Sequence, residues 1–283
     1  MTNYYQLKNY TAITVKGANS KELLQGQVSC DLDEEKDHYD GLFCNEKGYV
    51  ITNSTILLDE YFYILVKDEV CSILKSELNK FGKFFDCSVD EEKIDIFGQE
   101  KNGELKKFIG KKDSDLDSED WDEVCALNFC FDINEKMSGK FRVNELGYNL
   151  NKYVSYDKGC YRGQEIIARL TYLGKKSKKA VVFGSDCQEI TNSENRSIGK
   201  KIYSFKSKSK GYSQFFIENT DFFLEGKKII PVTSQWDLDL DQLASCLLLK
   251  NACIQKIQYL QRKVKDVKLP EYDFHLLLTL SFV

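Results

Sequence analysis

Histidine and proline each occur only twice in these 283 residues, and both scarcities narrow the chemistry available. His38 and His275 are too few for a histidine-built metal centre. Neither lies near the most distinctive motif, so a Cys-His catalytic pair would have to recruit one of them across the fold. Ten cysteines are present, yet no two stand as Cys-x-x-Cys; the closest are Cys125 with Cys130 and Cys246 with Cys253. Zinc-finger spacing is therefore missing, and scattered thiols fit a reducing compartment better than a disulfide framework. No apolar run approaches the ~20 residues of a membrane span, the longest being Leu276 to Val283. The opening Met1-Thr2-Asn3-Tyr4-Tyr5 lacks the basic-then-apolar order of a secretory signal. These absences predict a cytoplasmic protein with no membrane partner.

What is present describes an ordinary globular chain. Hydrophobic residues at 42% and charged residues at 30% suit a buried core, and the length suits about two domains. The net charge of −4 conceals an asymmetry: from Lys158 to Lys210 the balance is +9, and the remainder carries −13. The basic part includes Lys175-Lys176-Ser177-Lys178-Lys179 and Lys200-Lys201; an acidic stretch runs from Asp113 to Glu123. Such a basic region is either a solvated surface or an anion-binding face for nucleic acid or another polyanion, such as a polyglutamate tail.

Periodicity divides the chain. Ala12 to Val15 predicts a strand, and Asn19 with Glu22 predicts a capping box opening a short helix with Leu23 and Leu24. Leu42 to Cys44, Tyr49 to Leu58 and Tyr61 to Val66 predict strands joined by tight turns. Val70, Ile73, Leu74, Leu78 and Phe81 repeat at helical spacing, with Gly82 expected to close that helix. Hairpins interrupted by amphipathic helices indicate an α+β domain with a largely antiparallel sheet. Residues 101–120 are polar and read as a linker, a candidate subdomain break. From Ala180 only short strands are predicted, through Ile229 to Val232, a spacing that suggests a small β-barrel over 175–232. Leu240, Leu243, Leu247, Ile254, Ile257 and Val264 form one stripe of a long helix in a 233–283 extension. That stripe fits core packing or a partner-binding face.

The most informative segment is Lys158-Gly159-Cys160-Tyr161-Arg162-Gly163-Gln164-Glu165. It sets a thiol between two cations, flanks it with glycines, and leads into a helix predicted from Gln164 to Tyr172. Cations and a helix N-terminus favour thiolate, so Cys160 is either an activated or ligand-contacting cysteine, tuned by Lys158 and Arg162, or a structural one at a strand-to-helix turn.

This motif resembles the signature of the YgfZ family, folate-binding proteins related to the T-protein of the glycine cleavage system, and the likeness runs on to Tyr172, Gly174 and Lys175. Leu24-Gln25-Gly26-Gln27-Val28, and Cys44-Asn45-Glu46-Lys47-Gly48 with Asn53, resemble two further blocks of that family in the same order. The resemblance implies a T-protein-like folate-binding α+β domain over 1–174 followed by a small barrel. It implies tetrahydrofolate or another reduced folate as cofactor, and iron–sulfur client proteins as partners, with tRNA modification dependent on them. Cys160 is then the key reactive residue, and Gln25, Gln27, Gln164 and Glu165 shape the folate site. Tyr10 stands at one of two tryptophan positions of that site, and Trp121 lies near the other; an aromatic face there would stack on a pterin. The stretch Ala126 to Asp132, then Phe141-Arg142-Val143, lacks the arginine and two prolines usual in the family. Two other functions are open: aminomethyl transfer, as in the T-protein, and a binding module without a folate site.

Overall fold

The computed structural model describes residues 2–128, 130–146 and 148–173, and beyond them strand residues between 179 and 233. The chain divides into two compact units, Met1–Lys175 and Lys176–Val283.

In the first unit the order is β1 (Thr2–Gln6), β2 (Tyr10–Lys16), α1 (Ser20–Gln25), β3 (Tyr39–Cys44), β4 (Val50–Leu58), β5 (Phe62–Lys67), α2 (Asp68–Gly82), β6 (Ser88–Glu92), β7 (Ile96–Lys101), β8 (Glu104–Ile109), α3 (Ser118–Leu127), α4 (Leu150–Tyr153) and α5 (Gln164–Leu173). Strands β3-β4-β5-β2-β6 form one antiparallel sheet, and β1-β7-β8 form another. Strand β2 is buried along nearly its whole length, as a central strand covered on both faces must be. α2 packs against β2, β4, β5 and β6, burying Val70, Cys71, Leu74 and Leu78, one stripe at helical spacing. Tyr10, Ala12 and Leu65 of the larger sheet join Tyr5, Leu7, Ile96, Leu105, Trp121 and Cys125 in a single core cluster, so the smaller sheet and α3 supply the other cover.

The α+β architecture with antiparallel sheets is present as predicted, with two local corrections. Residues 101–120 are not a structureless linker. Asn102 and Gly103 both have positive φ, 53° and 78°, which makes a two-residue turn joining β7 to β8 with Lys101 opposite Glu104. An Asn-Gly pair is the strongest short hairpin signal, and the charged composition hid it. Asn19 precedes α1 but makes no side-chain cap hydrogen bond. α2 does end at Gly82 as expected, though in right-handed backbone; a 3-10 turn, Lys83–Phe85, follows, and the left-handed residue is Asp86 at φ 52°. A Cβ on Gly82 would lie 3.1 Å from the Cys87 carbonyl oxygen.

In the second unit the strands are β9 (Lys179–Phe183), β10 (Gly199–Ser207), β11 (Lys210–Ile217), β12 (Phe222–Leu224), β13 (Lys227–Ile229) and β14 (Val232–Thr233). They pair as a sheet β10-β11-β9-β14 and a hairpin β12-β13, so the stretch from Ile229 to Val232 is split between two strands. Gly174 and the predicted helix over 233–283 lie outside the described residues.

Candidate functional site

The three sequence blocks, far apart in the chain, are one hydrogen-bonded assembly. Lys158 is buried, and its ammonium donates to the carbonyls of Val28 at 2.9 Å and Cys30 at 2.6 Å and to Oε1 of Gln25 at 3.1 Å. The Arg162 amide donates to the Gly26 carbonyl and the Ser155 amide to that of Ser29. Ser29 Oγ donates to the Tyr153 carbonyl at 2.5 Å and accepts from the Leu42 amide at 2.8 Å. The third block meets the other two at Gly163. This residue has φ +85°, and a Cβ on it would lie 2.7 Å from the Asn45 carbonyl oxygen and 3.2 Å from Cys44 Cβ; a Cβ on Gly48 would lie 2.8 Å from Ile166 Cγ2. Only glycine gives the left-handed conformation cheaply and lets the backbones come this close. Gly163 also starts α5, since its carbonyl accepts the Ile167 amide. Gly159, by contrast, would place a Cβ in open space.

Cys160 projects from this assembly and is exposed, whereas Cys30, Cys44, Cys71 and Cys125 are buried. Burial pushes the thiols of Cys30 and Cys44 up to about 12. Neither flanking cation hydrogen-bonds to Cys160. The Lys158 ammonium is held by the three oxygens above, and burial lowers it to about 8. Arg162 is engaged by Glu77 at 2.6 Å and Glu46 at 2.8 Å, tying the motif to α2 and to the Asn45–Gly48 turn. Lys158 and Arg162 thus both brace the motif against the rest of the assembly.

The other predicted residues separate. Gln25 is spent internally: Nε2 donates to Asp31 at 2.6 Å and to Asp33 at 3.3 Å, and Oε1 accepts from the Leu32 amide at 3.0 Å as well as from Lys158. Gln27 and Gln164 are half-buried and carry no side-chain hydrogen bond among the described residues. Glu165 is exposed and paired with Arg169, one helical turn on, at 2.9 Å. Tyr161 is buried, with its hydroxyl unpartnered and its ring under the Lys158 ammonium at 5.2 Å.

Tyr10 and Trp121 are brought into the same core cluster, but each is only 2% exposed. The Trp121 ring covers Gly98, where a Cβ would lie 2.4 Å from Cε3, and sits 5.4 Å from the Tyr5 ring. The Tyr10 hydroxyl donates to Asp132 at 2.5 Å. Neither ring has a face open for stacking on a pterin, so both serve packing.

Sequence reasoning missed the polar cluster that Tyr10 belongs to. Asp132 accepts from Lys107 at 2.6 Å and from Asn53 Nδ2 at 2.9 Å as well as from Tyr10, and all four residues are buried. Asn53 completes its own set by accepting the Ile133 amide at 2.9 Å. Nearby, Lys67 pairs with Asp122 at 2.7 Å and Lys152 with Asp40 at 2.8 Å. The available signal was a lone aspartate in the apolar run Phe129 to Ile133 and a lysine at an inward position of β8.

Among the described residues no group of three or more histidine, cysteine or acidic side chains is placed to hold a metal, and no helix is long and apolar enough to cross a membrane.

Comparison with known proteins bears on the fold and the family. The fold is that of the glycine cleavage T-protein: the aminomethyltransferase T from Bartonella henselae superposes with a TM-score of 0.53, covering 82% of this chain and 84% of that one at 13% identity. No family model matches the chain. The tRNA-modifying protein YgfZ of Colwellia psychrerythraea is 23% identical over 244 residues, 69% of this chain and 75% of its own. That of an Escherichia coli strain is 23% identical over 227 residues, 61% and 68%. An uncharacterised protein of Haemophilus influenzae is 24% identical over 225 residues, 71% and 79%. The chain is a relative of the YgfZ proteins, a family related to the T-protein.

Proposed function

We propose that this chain acts as a YgfZ-type protein: it binds a reduced folate, supports assembly or repair of iron–sulfur clusters, and through them sustains tRNA modification. The observation that carries this reading is the convergence of the three family-like blocks on one assembly with Cys160 exposed at its surface. Cys160 is the soft donor of the site, suited to iron, sulfur or persulfide chemistry. Gln27 and Gln164 are the amides with hydrogen-bonding capacity to spare, and they replace Tyr10 and Trp121 as the groups to read a pterin. Lys158 and Arg162 are already spent within the assembly, so of the basic region the lysines from Lys176 to Lys210 would receive a polyanion, either the polyglutamate of a folate or RNA. The cysteine motif ranks this reading above aminomethyl transfer, since T-proteins lack it.

A second reading, a relative without a folate site that works as a binding module, is favoured by the enclosure of Tyr10 and Trp121. Calorimetric titration with tetrahydrofolate separates the two. Saturable heat at micromolar to millimolar ligand, lost in a Gln27→Ala, Gln164→Ala double variant, supports the first. Absence of heat at millimolar ligand supports the second. The cellular arm of the proposal is tested by the activities of iron–sulfur enzymes and the modified nucleosides of tRNA in cells lacking the protein, both expected to fall.

A further inference from the structure

Cys125 and Cys130 stand where the backbone turns back at the end of α3. The Cys125 carbonyl accepts the Asn128 amide at 3.2 Å and the Cys130 amide at 2.9 Å, and Cys130 Sγ lies 3.5 Å from the same oxygen. The nearness of Cys125 lowers the Cys130 thiol, whereas burial pushes the Cys125 thiol well up. Cys125 is buried in the core cluster, while Cys130 is half-buried at its margin. Proximity of this kind, set by a closed backbone turn, is what an intramolecular disulfide requires, and none of the site residues described above uses either thiol.

We propose that Cys125 and Cys130 form a dithiol modification site that reacts with a small-molecule disulfide and closes to an intramolecular disulfide. Cys130 is the attacking sulfur. The neighbouring Cys125 holds its thiol below the ordinary range, with burial opposing and the Lys152 ammonium assisting. In the first step the Cys130 thiolate, its proton already given to solvent, attacks one sulfur of the small disulfide. The Cys130–sulfur bond forms, the small disulfide's S–S bond breaks, and one small thiolate leaves. In the second step Cys125 attacks Cys130 Sγ; the mixed disulfide breaks, and the second small thiolate departs with the Cys125 proton. The two cysteines are oxidised and the small disulfide is reduced to two thiols. Asp132 lies two residues beyond Cys130 and holds Tyr10, Lys107 and Asn53, so closure bears directly on the buried polar cluster.

The full-length protein is incubated with glutathione disulfide, quenched with iodoacetamide, and read by peptide mass spectrometry without reduction. The peptide carrying both cysteines is expected to lose two hydrogens and take no alkyl group, while Cys160, which is exposed, keeps a glutathione adduct. In Cys125→Ala the adduct should instead persist on Cys130. A persistent adduct on Cys130 in the wild-type protein overturns the proposal. So does full alkylation of both cysteines in molecules already glutathionylated at Cys160. Both readings come from the wild-type chain and do not depend on the variant folding.

Discussion

The ammonium of Lys158 lies 2.6 Å from the carbonyl oxygen of Cys30, a residue 128 positions earlier in the chain. This contact, with its partners at Val28 and Gln25, makes one unit of two segments that meet nowhere in the sequence. The lysine of the cysteine motif therefore belongs to the frame that presents Cys160. Among the described residues no carboxylate lies within ion-pair distance of it; its hydrogen bonds go to neutral oxygens, and burial lowers it from 10.5 to about 8, opposed by Cys30, Asp31 and Asp33.

That lowering has a definite sign in stability. Below pH 8 the lysine is charged in both folded and unfolded states, and folding bears the whole cost of burying the charge. Between pH 8 and 10.5 the unfolded chain binds more protons than the folded one, so stability rises; above 10.5 the cost is gone. Urea unfolding of wild type and Lys158→Met from pH 7 to 10.5 is predicted to give a wild-type-minus-variant difference that climbs by up to ~3 kcal/mol. A flat difference would show that the ammonium is solvated rather than buried.

The two glycines of the motif are predicted to respond oppositely to substitution. Gly163→Ala brings a left-handed alanine and a methyl 2.7 Å from the Asn45 carbonyl oxygen; it should cost about 2–4 kcal/mol in urea unfolding. Gly159→Ala meets nothing within 4 Å and should stay within ~0.5 kcal/mol of wild type. Equal effects at the two positions would remove Gly163 from the junction of the three blocks.

The sequence was informative about local order and poor at long-range pairing. Strands β2 to β5 and helix α2 were legible because their apolar residues repeat at periods of two or 3.6 within a short window. The hairpin at Asn102-Gly103 was not, because its strands carry lysine and glutamate at many positions and so read as solvated loop. The Asp132 cluster escaped for a related reason. A lysine or aspartate counts as surface until its partner is known, and Asp132 is 122 positions from Tyr10 and 79 from Asn53. Composition around Tyr10 and Trp121 likewise could not tell a ring that lines a pocket from one that fills a core. The cysteine motif was legible as a signature, but the bracing roles of Lys158 and Arg162 required the positions of Cys30, Glu46 and Glu77.

Buried pairs are costly to break on one side. Asp132→Asn would leave the Lys107 charge without its counter-ion in the interior, and a loss of about 3–5 kcal/mol is expected. Tyr10→Phe removes one hydroxyl from the same carboxylate and should cost ~1–2 kcal/mol. The double variant should fall short of the sum, since both changes act on Asp132. Strict additivity in guanidinium unfolding would contradict a shared network.

Exposure, with pKa set by burial elsewhere, ranks the cysteines. Of the described cysteines, iodoacetamide at neutral pH should label Cys160 first, and well ahead of Cys30 and Cys44, whose thiols burial pushes up to about 12. Faster labelling of Cys44 than of Cys160 in the native protein would contradict the placement of the motif.

Replacing Cys160 by serine in the cell tests the functional site most directly. In cells lacking the protein, a copy carrying Cys160→Ser, shown by its urea midpoint to fold as wild type, is expected to leave iron–sulfur enzyme activities and tRNA modification as low as in the deletion. Serine keeps the size of the side chain but offers a hard, un-ionised hydroxyl in place of a soft sulfur. Restoration of both readouts to wild-type levels by the serine variant would remove the thiol from the mechanism.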